Sequence, residues 1–312
     1  MRGEHRSGCN LRKAVMMLGL PVVVLVLAPG GPRAQWKTAW SYEGSKGPEH
    51  WGDLDPAYAA CKDGKEQSPI DIRDTQKAAL PALRFEYESG PLQYLINNGK
   101  TVRVNYHHAP GKGNFLIVGE QRYQLTQFHF HRPSEESIHG KPYEMVAHLM
   151  HQADDRKIAG LVVLLKAGKA NTTVQQIWEH MPMREGKEEE IPGVQVNPAG
   201  LLPGDFAYDR YRGSLTAPPC TEGVTWFVLK TPAEISTEQI NSFAALYPRD
   251  VRPPPAAQWP HRRGKSVTAR NHALAVAGEG KTSVTQAKPI YRLSPETGRS
   301  RTKTINPTGC EP

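Results

Sequence analysis

Apolar and polar residues alternate through the middle of the chain instead of recurring every third or fourth position. The runs LQYLINNGKTVRVNY (92–106), FLIVGEQRYQLTQFHFH (115–131), EMVAHLMH (144–151), IAGLVVLLK (158–166) and GVTWFVLK (223–230) are rich in Val, Leu, Phe and Tyr. Gly, Asn and Pro separate them, which is the punctuation that strands need. Two stretches have helical spacing. NTTVQQIWEHM (171–181) reads as a short amphipathic helix, and STEQINSFAALY (236–247) reads as another with Ser236 as N-cap. No repeat is visible. The pattern predicts one α+β, β-dominated domain from about Trp36 to Arg263, with a large, mostly antiparallel, twisted sheet and short peripheral helices.

Alternation places chemistry on one side of two strands. Successive strand side chains point to opposite faces. Gln127, His129 and His131 therefore share a face, and Phe128 and Phe130 point the other way. In MVAHLMH, Val146, His148 and Met150 alternate with Ala147, Leu149 and His151. The connecting segment RPSEESIHGKPYE (132–144) is short enough for antiparallel neighbours, which would set His148 beside the first pair. Two histidines two apart are often just polar residues at a sheet edge. Three neutral imidazoles with no nearby cysteine instead suit Zn²⁺ with an open fourth position, and such a site lowers the pKa of bound water to about 7.

The ends differ from the body. The formal net charge is +8 over 312 residues. Arg2, Arg6, Arg12, Lys13 and Arg33 face Glu4 in residues 1–34, and eight Lys or Arg face three Glu in residues 264–312. The body, 35–263, is nearly neutral, which argues against a nucleic-acid partner, since that needs a basic face on the fold itself. Residues 2–13 followed by the apolar run Ala14–Ala28 have the form of a secretory signal cleaved near Ala34, with an uncleaved anchor as the alternative. The run is too short and interrupted to predict a stable span. The expected location is periplasmic or secreted. Export permits disulfides. Cys61 and Cys220 are the only cysteines of the body and the natural pair, with two free buried thiols as the alternative. A bridge closing so long a loop stabilises by about 4–5 kcal/mol in the chain-entropy model. Residues 264–312 read as a basic, flexible tail that contains Cys310.

An ordered series of segments resembles the α-class carbonic anhydrases of the exported bacterial type. The segments are WSYEGSKGPEHW (40–51), CKDGKEQSPIDI (61–72), INNGK (96–100), QFHFHRPSEES (127–137), MVAHLMH (145–151), GLLPGDFAYDRYRGSLTAPPC (200–220) and GVTWFVLK (223–230). The resemblance implies reversible hydration of CO₂ to bicarbonate, with zinc hydroxide as nucleophile. It implies zinc held by His129, His131 and His148. Thr216 would orient the nucleophile, with its own proton accepted by Glu135, and the Thr216 N–H would hold a substrate oxygen. Gln127 would take a ligand histidine's free N–H. Met150, Leu215, Val224 and Trp226 would wall the apolar pocket. The implied partner is the small substrate, and a homodimer is left open.

The chain departs from the family pattern at three places. Lys100 stands where a histidine usually relays protons, and an ammonium ordinarily near 10.4 is a poor relay at pH 7. The expected consequence is turnover limited by proton export and accelerated by imidazole-type buffers. His107 and His108 are candidates to substitute. Val146 replaces a carboxylate two positions before the third ligand. Either Glu136 now faces His148, or a water or backbone carbonyl does. Gly160 falls where a valine narrows the pocket, and Ala217 replaces a hydroxyl beside Thr216. A roomier pocket and side esterase activity are the expectation. Two rivals stand beside the enzyme: a related binding module without catalysis, and an envelope interaction protein acting through its tail.

Overall fold

A computed structural model describes residues 39–109, 111–255 and 266–268. The signal-like segment, most of the basic tail and Cys310 lie outside the described residues. The body contains β1 (Leu83–Glu86), β2 (Leu95–Asn97), β3 (Val102–Asn105), β4 (Phe115–Val118), β5 (Gln121–His131), β6 (Met145–Gln152), β7 (Ile158–Ala167), β8 (Tyr208–Ser214), β9 (Glu222–Leu229) and β10 (Ala233–Ile235). These form one ten-stranded sheet with the main order β8-β9-β7-β6-β5-β3-β2. Strand β10 adds to β7, β4 to β5, and β1 to β4. The β7–β9 and β7–β10 pairs are parallel. The other ladders of this sheet are antiparallel. The sheet is thus mixed. The chain between β7 and β9 passes through the first helix and β8, long enough for the crossover that parallel neighbours need.

The two helical readings hold as α1 (Thr172–Trp178) and α2 (Thr237–Ala244). Asn171 caps the first by accepting from Val174 N–H. Ser236 and Gln239 form a reciprocal capping box on the second. Trp178, Phe243 and Phe130 pack together between these helices and the sheet.

The sheet's two faces bury two apolar clusters. Phe128, Phe130, Ala147, Leu149, Leu161 and Val163 belong to the larger one, under the helices. Val146, Met150, Val162, Val224 and Trp226 belong to the smaller one on the opposite face. Central β6 and β7 are buried on both sides because both sides are covered. Outside the main sheet, Ser266–Thr268 pair in parallel with Thr75–Lys77. This short strand falls in the stretch read as tail.

Candidate metal centre

The ladder register does what alternation predicted. His148 pairs with His129, Val146 with His131, and Met150 with Gln127 across β6 and β5. The three imidazoles form a cluster whose candidate donor atoms all lie within 4.8 Å of one another. Their ring centroids are 4.9, 5.4 and 5.1 Å apart.

Each ring is oriented from behind. His129 Nδ1 meets Gln127 Oε1 at 2.8 Å. His131 Nδ1 donates to the Asp250 carbonyl at 2.7 Å. His148 Nε2 faces Glu136 Oε2 at 3.0 Å, with both side chains fully buried. Such acceptors select the tautomer and leave the other nitrogen bare for a metal. The bare atoms are visible: His131 Nε2 and His148 Nδ1 are buried without hydrogen-bond partners. Orphaned buried nitrogens are rare in proteins. Two of them converging with His129 make a site that fits a tetrahedral, nitrogen-preferring ion with one open position.

The electrostatics are uneven. Burial pushes His129 well below its ordinary value, and His131, His148 and Arg103 add to the push. Burial would also lower His131, but the charges of Glu135 and Asp250 outweigh it and hold the ring at about 9. Burial raises Asp250 to about 6, against the pull of His131. Burial would raise Glu136 as well, yet its contact with His148 brings it down. Tyr211 Oη adds a long contact to Glu136 Oε1 at 3.4 Å.

Residues 46–258 match the family described as eukaryotic-type carbonic anhydrase. The chain belongs to that family. It is 40% identical to a carbonic anhydrase of Nostoc sp. over 219 residues, which is 69% of this chain and 81% of the relative. It is 42% identical to one of Neisseria gonorrhoeae, covering 66% and 79%. The α-carbonic anhydrase of Thermovibrio ammonificans, solved with sulfanilamide, superposes with a TM-score of 0.68 at 40% identity, covering 74% of this chain and 99% of that one. The protein is a zinc-dependent carbonate dehydratase, which hydrates CO₂ reversibly.

The other expected residues fall into three groups. Lys100, Gln127, Met150, Leu215, Thr216 and Trp226 line the cavity into which His129 and His131 open, a space of about 230 Å³. Val224 is fully buried in the cluster behind that wall. Glu135 sits under the metal cluster: its Oε1 accepts the Arg252 N–H at 2.9 Å. Its Oε2 is 3.5 Å from His131 Nε2 and 3.8 Å from His148 Nδ1. The expected bond from Thr216 is not formed; Oε2 is buried without a hydrogen-bond partner.

Two expectations are corrected. Gly160 does not widen the pocket. A Cβ there would lie 2.3 Å from the Trp226 ring, so the indole fills the volume a larger side chain would take. His107 and His108 do not reach the metal cavity. They line a separate one beside Tyr94 and Asn114, and His107 Nε2 contacts Glu188 at 3.1 Å.

Sequence reasoning missed Asp250, Arg252 and Arg103. Asp250 reaches His131 from 119 positions away, and no local pattern announces a backbone carbonyl. The Arg252 guanidinium is buried, bonded to Gln67 Oε1, Ser68 O and Cys61 O, each at 2.8 Å. It ties the metal floor to the Cys61–Cys220 bridge, whose Cα atoms are 5.0 Å apart. Arg103 stands on the His129 face through the register of the β3–β5 ladder, which alternation in VRVN does not specify.

Proposed function

We propose that zinc is held by His129 Nε2, His131 Nε2 and His148 Nδ1, and that Thr216 and Glu135 orient the nucleophile beside it. When bound, zinc supplies water activation near neutral pH. The carrying observation is the convergence of three imidazoles, each ring fixed from behind by Gln127, Asp250 or Glu136. Glu135 Oε2, buried without a hydrogen-bond partner, is the oxygen that would accept the Thr216 hydroxyl once the site is filled. With its proton so committed, Thr216 Oγ1 accepts from the nucleophile, and its N–H holds a substrate oxygen. Met150, Leu215 and Trp226 exclude water from the side where CO₂ approaches.

Proton export is the slow part of this reading. Lys100 lines the cavity, and no histidine other than the proposed ligands lines it among the described residues. CO₂ hydration should therefore rise steeply with imidazole buffer. Small-ester hydrolysis rests on Ala217 alone, which lines the cavity; turnover of a nitrophenyl acetate tests it.

The deciding experiment is stopped-flow CO₂ hydration of the mature protein, with zinc content measured before and after chelation. One zinc per chain and activity lost with the metal support the reading. Full activity without metal would sink it.

The domain reading is residues 1–34 as signal, 35–263 as catalytic domain and 264–312 as basic tail, in a periplasmic or secreted protein. The Cys61–Cys220 disulfide supports an oxidising compartment. Among the described residues no helix is long and apolar enough to cross a membrane. A homodimer is compatible with this reading, and sedimentation of the mature chain distinguishes one copy from two.

A further inference from the structure

The cavity carries two cations that hydration of a neutral gas does not require. Arg103, on β3, stands directly across from His129 in the β3–β5 ladder. Lys100 belongs to the Asn97–Val102 hairpin, whose turn is made by Gly99 at φ +72°. Both side chains line the metal cavity. Among the described residues no aspartate or glutamate lines it.

Neither cation is neutralised. Arg103 Nε is buried with no hydrogen-bond partner. Lys100 Nζ has only the Gly99 carbonyl at 3.3 Å and the Trp40 ring at 5.4 Å. Among the described residues no carboxylate lies within 4.0 Å of either charge. Glu188 is the acid that acts on Arg103 through space, but its oxygens are taken by Asn105 Nδ2 and His107 Nε2. Glu185 lies against Gly99 without pairing with the lysine. A part-buried guanidinium with an orphaned N–H is unfavourable unless something anionic occupies the space before it. Its fork of donors matches a planar carboxylate-like group.

We propose that Arg103 and Lys100 form an anion-docking subsite beside the metal, built for a small planar oxoanion, and that bicarbonate is the ligand it takes during the reaction. This deepens the CO₂-hydration reading and rests on it for the identity of the ligand. CO₂ is neutral and bicarbonate is an anion, so the two cations discriminate between the two sides of the reaction. They favour capture of bicarbonate in one direction and delay its departure in the other.

The test uses the zinc-loaded full chain, with Arg103→Gln, Arg103→Lys and Lys100→Gln, and Lys157→Gln as a control on an exposed loop. Two quantities are read: the inhibition constant of bicarbonate against CO₂ hydration at fixed pH and two ionic strengths, and calorimetric binding of sodium formate, a planar oxoanion that does not turn over. Arg103→Gln should raise both constants about tenfold, the scale of one charge-assisted hydrogen bond, and should flatten their salt dependence. Arg103→Lys should restore part of the loss. Lys100→Gln should raise both about threefold, and Lys157→Gln should change neither. Constants unmoved in Arg103→Gln at intact zinc content would overturn the subsite. If that variant folds poorly, unmoved constants in Lys100→Gln overturn it instead. An absence of CO₂ hydration in zinc-loaded wild type would strike the activity reading, while formate binding would still report on the subsite.

Discussion

Phe128 and Phe130 leave one face of β5; Gln127, His129 and His131 leave the other. The first face packs into a broad cluster with Ala147, Leu149 and Trp178, where many side chains share each contact. The second meets a handful of single partners: one amide oxygen, one carbonyl and one carboxylate, one per ring. The apolar face tolerates a change of shape because its neighbours repack and the loss is spread. The polar face does not, because a buried donor that loses its acceptor has no substitute. The same backbone therefore supports one interior that carries stability and one that carries chemistry.

Truncation on each side should separate these roles most sharply. His131→Ala should abolish stoichiometric zinc binding and bring CO₂ hydration near the uncatalysed rate, with a folded circular dichroism spectrum retained. Phe130→Ala should do the reverse. It should cost about 3–5 kcal/mol in denaturant unfolding, while the surviving folded fraction keeps its zinc. If both variants lost zinc and stability in proportion, the two faces would not be independent.

Weaker perturbations sharpen the contrast within the polar face. Glu136→Gln keeps the shape and removes the charge opposite His148. It should weaken zinc retention about 10–100-fold, as measured by competition with a chelator. Gly160→Ala addresses the wall. A Cβ 2.3 Å from the Trp226 ring forces the indole to move, so stability should fall by about 1–3 kcal/mol. The cavity side of the indole should shift with it, read as a change in tryptophan fluorescence.

The smallest effect is a pH dependence of metal uptake. In the metal-free state Glu135 and Asp250 keep His131 at about 9. Below that pH zinc must displace a proton from this ring. Apparent affinity should therefore rise with pH toward about 9 and level off above it, with proton release measurable by calorimetry in buffers of different ionisation enthalpy. A pH-independent affinity would mean that His131 is already neutral.

Much of this site is local pattern. A period of two puts His129 and His131 on one face and the phenylalanines on the other, because a pleated strand cannot do otherwise, and the ladder register adds His148 to that face. The antiparallel β5–β6 pair follows from a short connection. Both helix caps are local as well, since Asn171 and Ser236 bond to N–H groups three positions on. The chain alone thus pointed to the β-dominated class, the trio of imidazoles and Cys61–Cys220 as the natural pair, with free thiols as the alternative that the bridge itself removed.

Tertiary structure decided what lies across distances that no periodicity spans. Asp250 supplies a carbonyl to His131, and Arg252 joins Glu135 to the Cys61 segment. The parallel placement of β9 beside β7 made the sheet mixed. The volume beside Gly160 went to Trp226 rather than to substrate, because empty space in a close-packed interior is taken by whichever neighbour can reach it. Alternation states which face a side chain leaves. It does not state which distant group waits there, since that depends on how the whole sheet curls and closes upon itself.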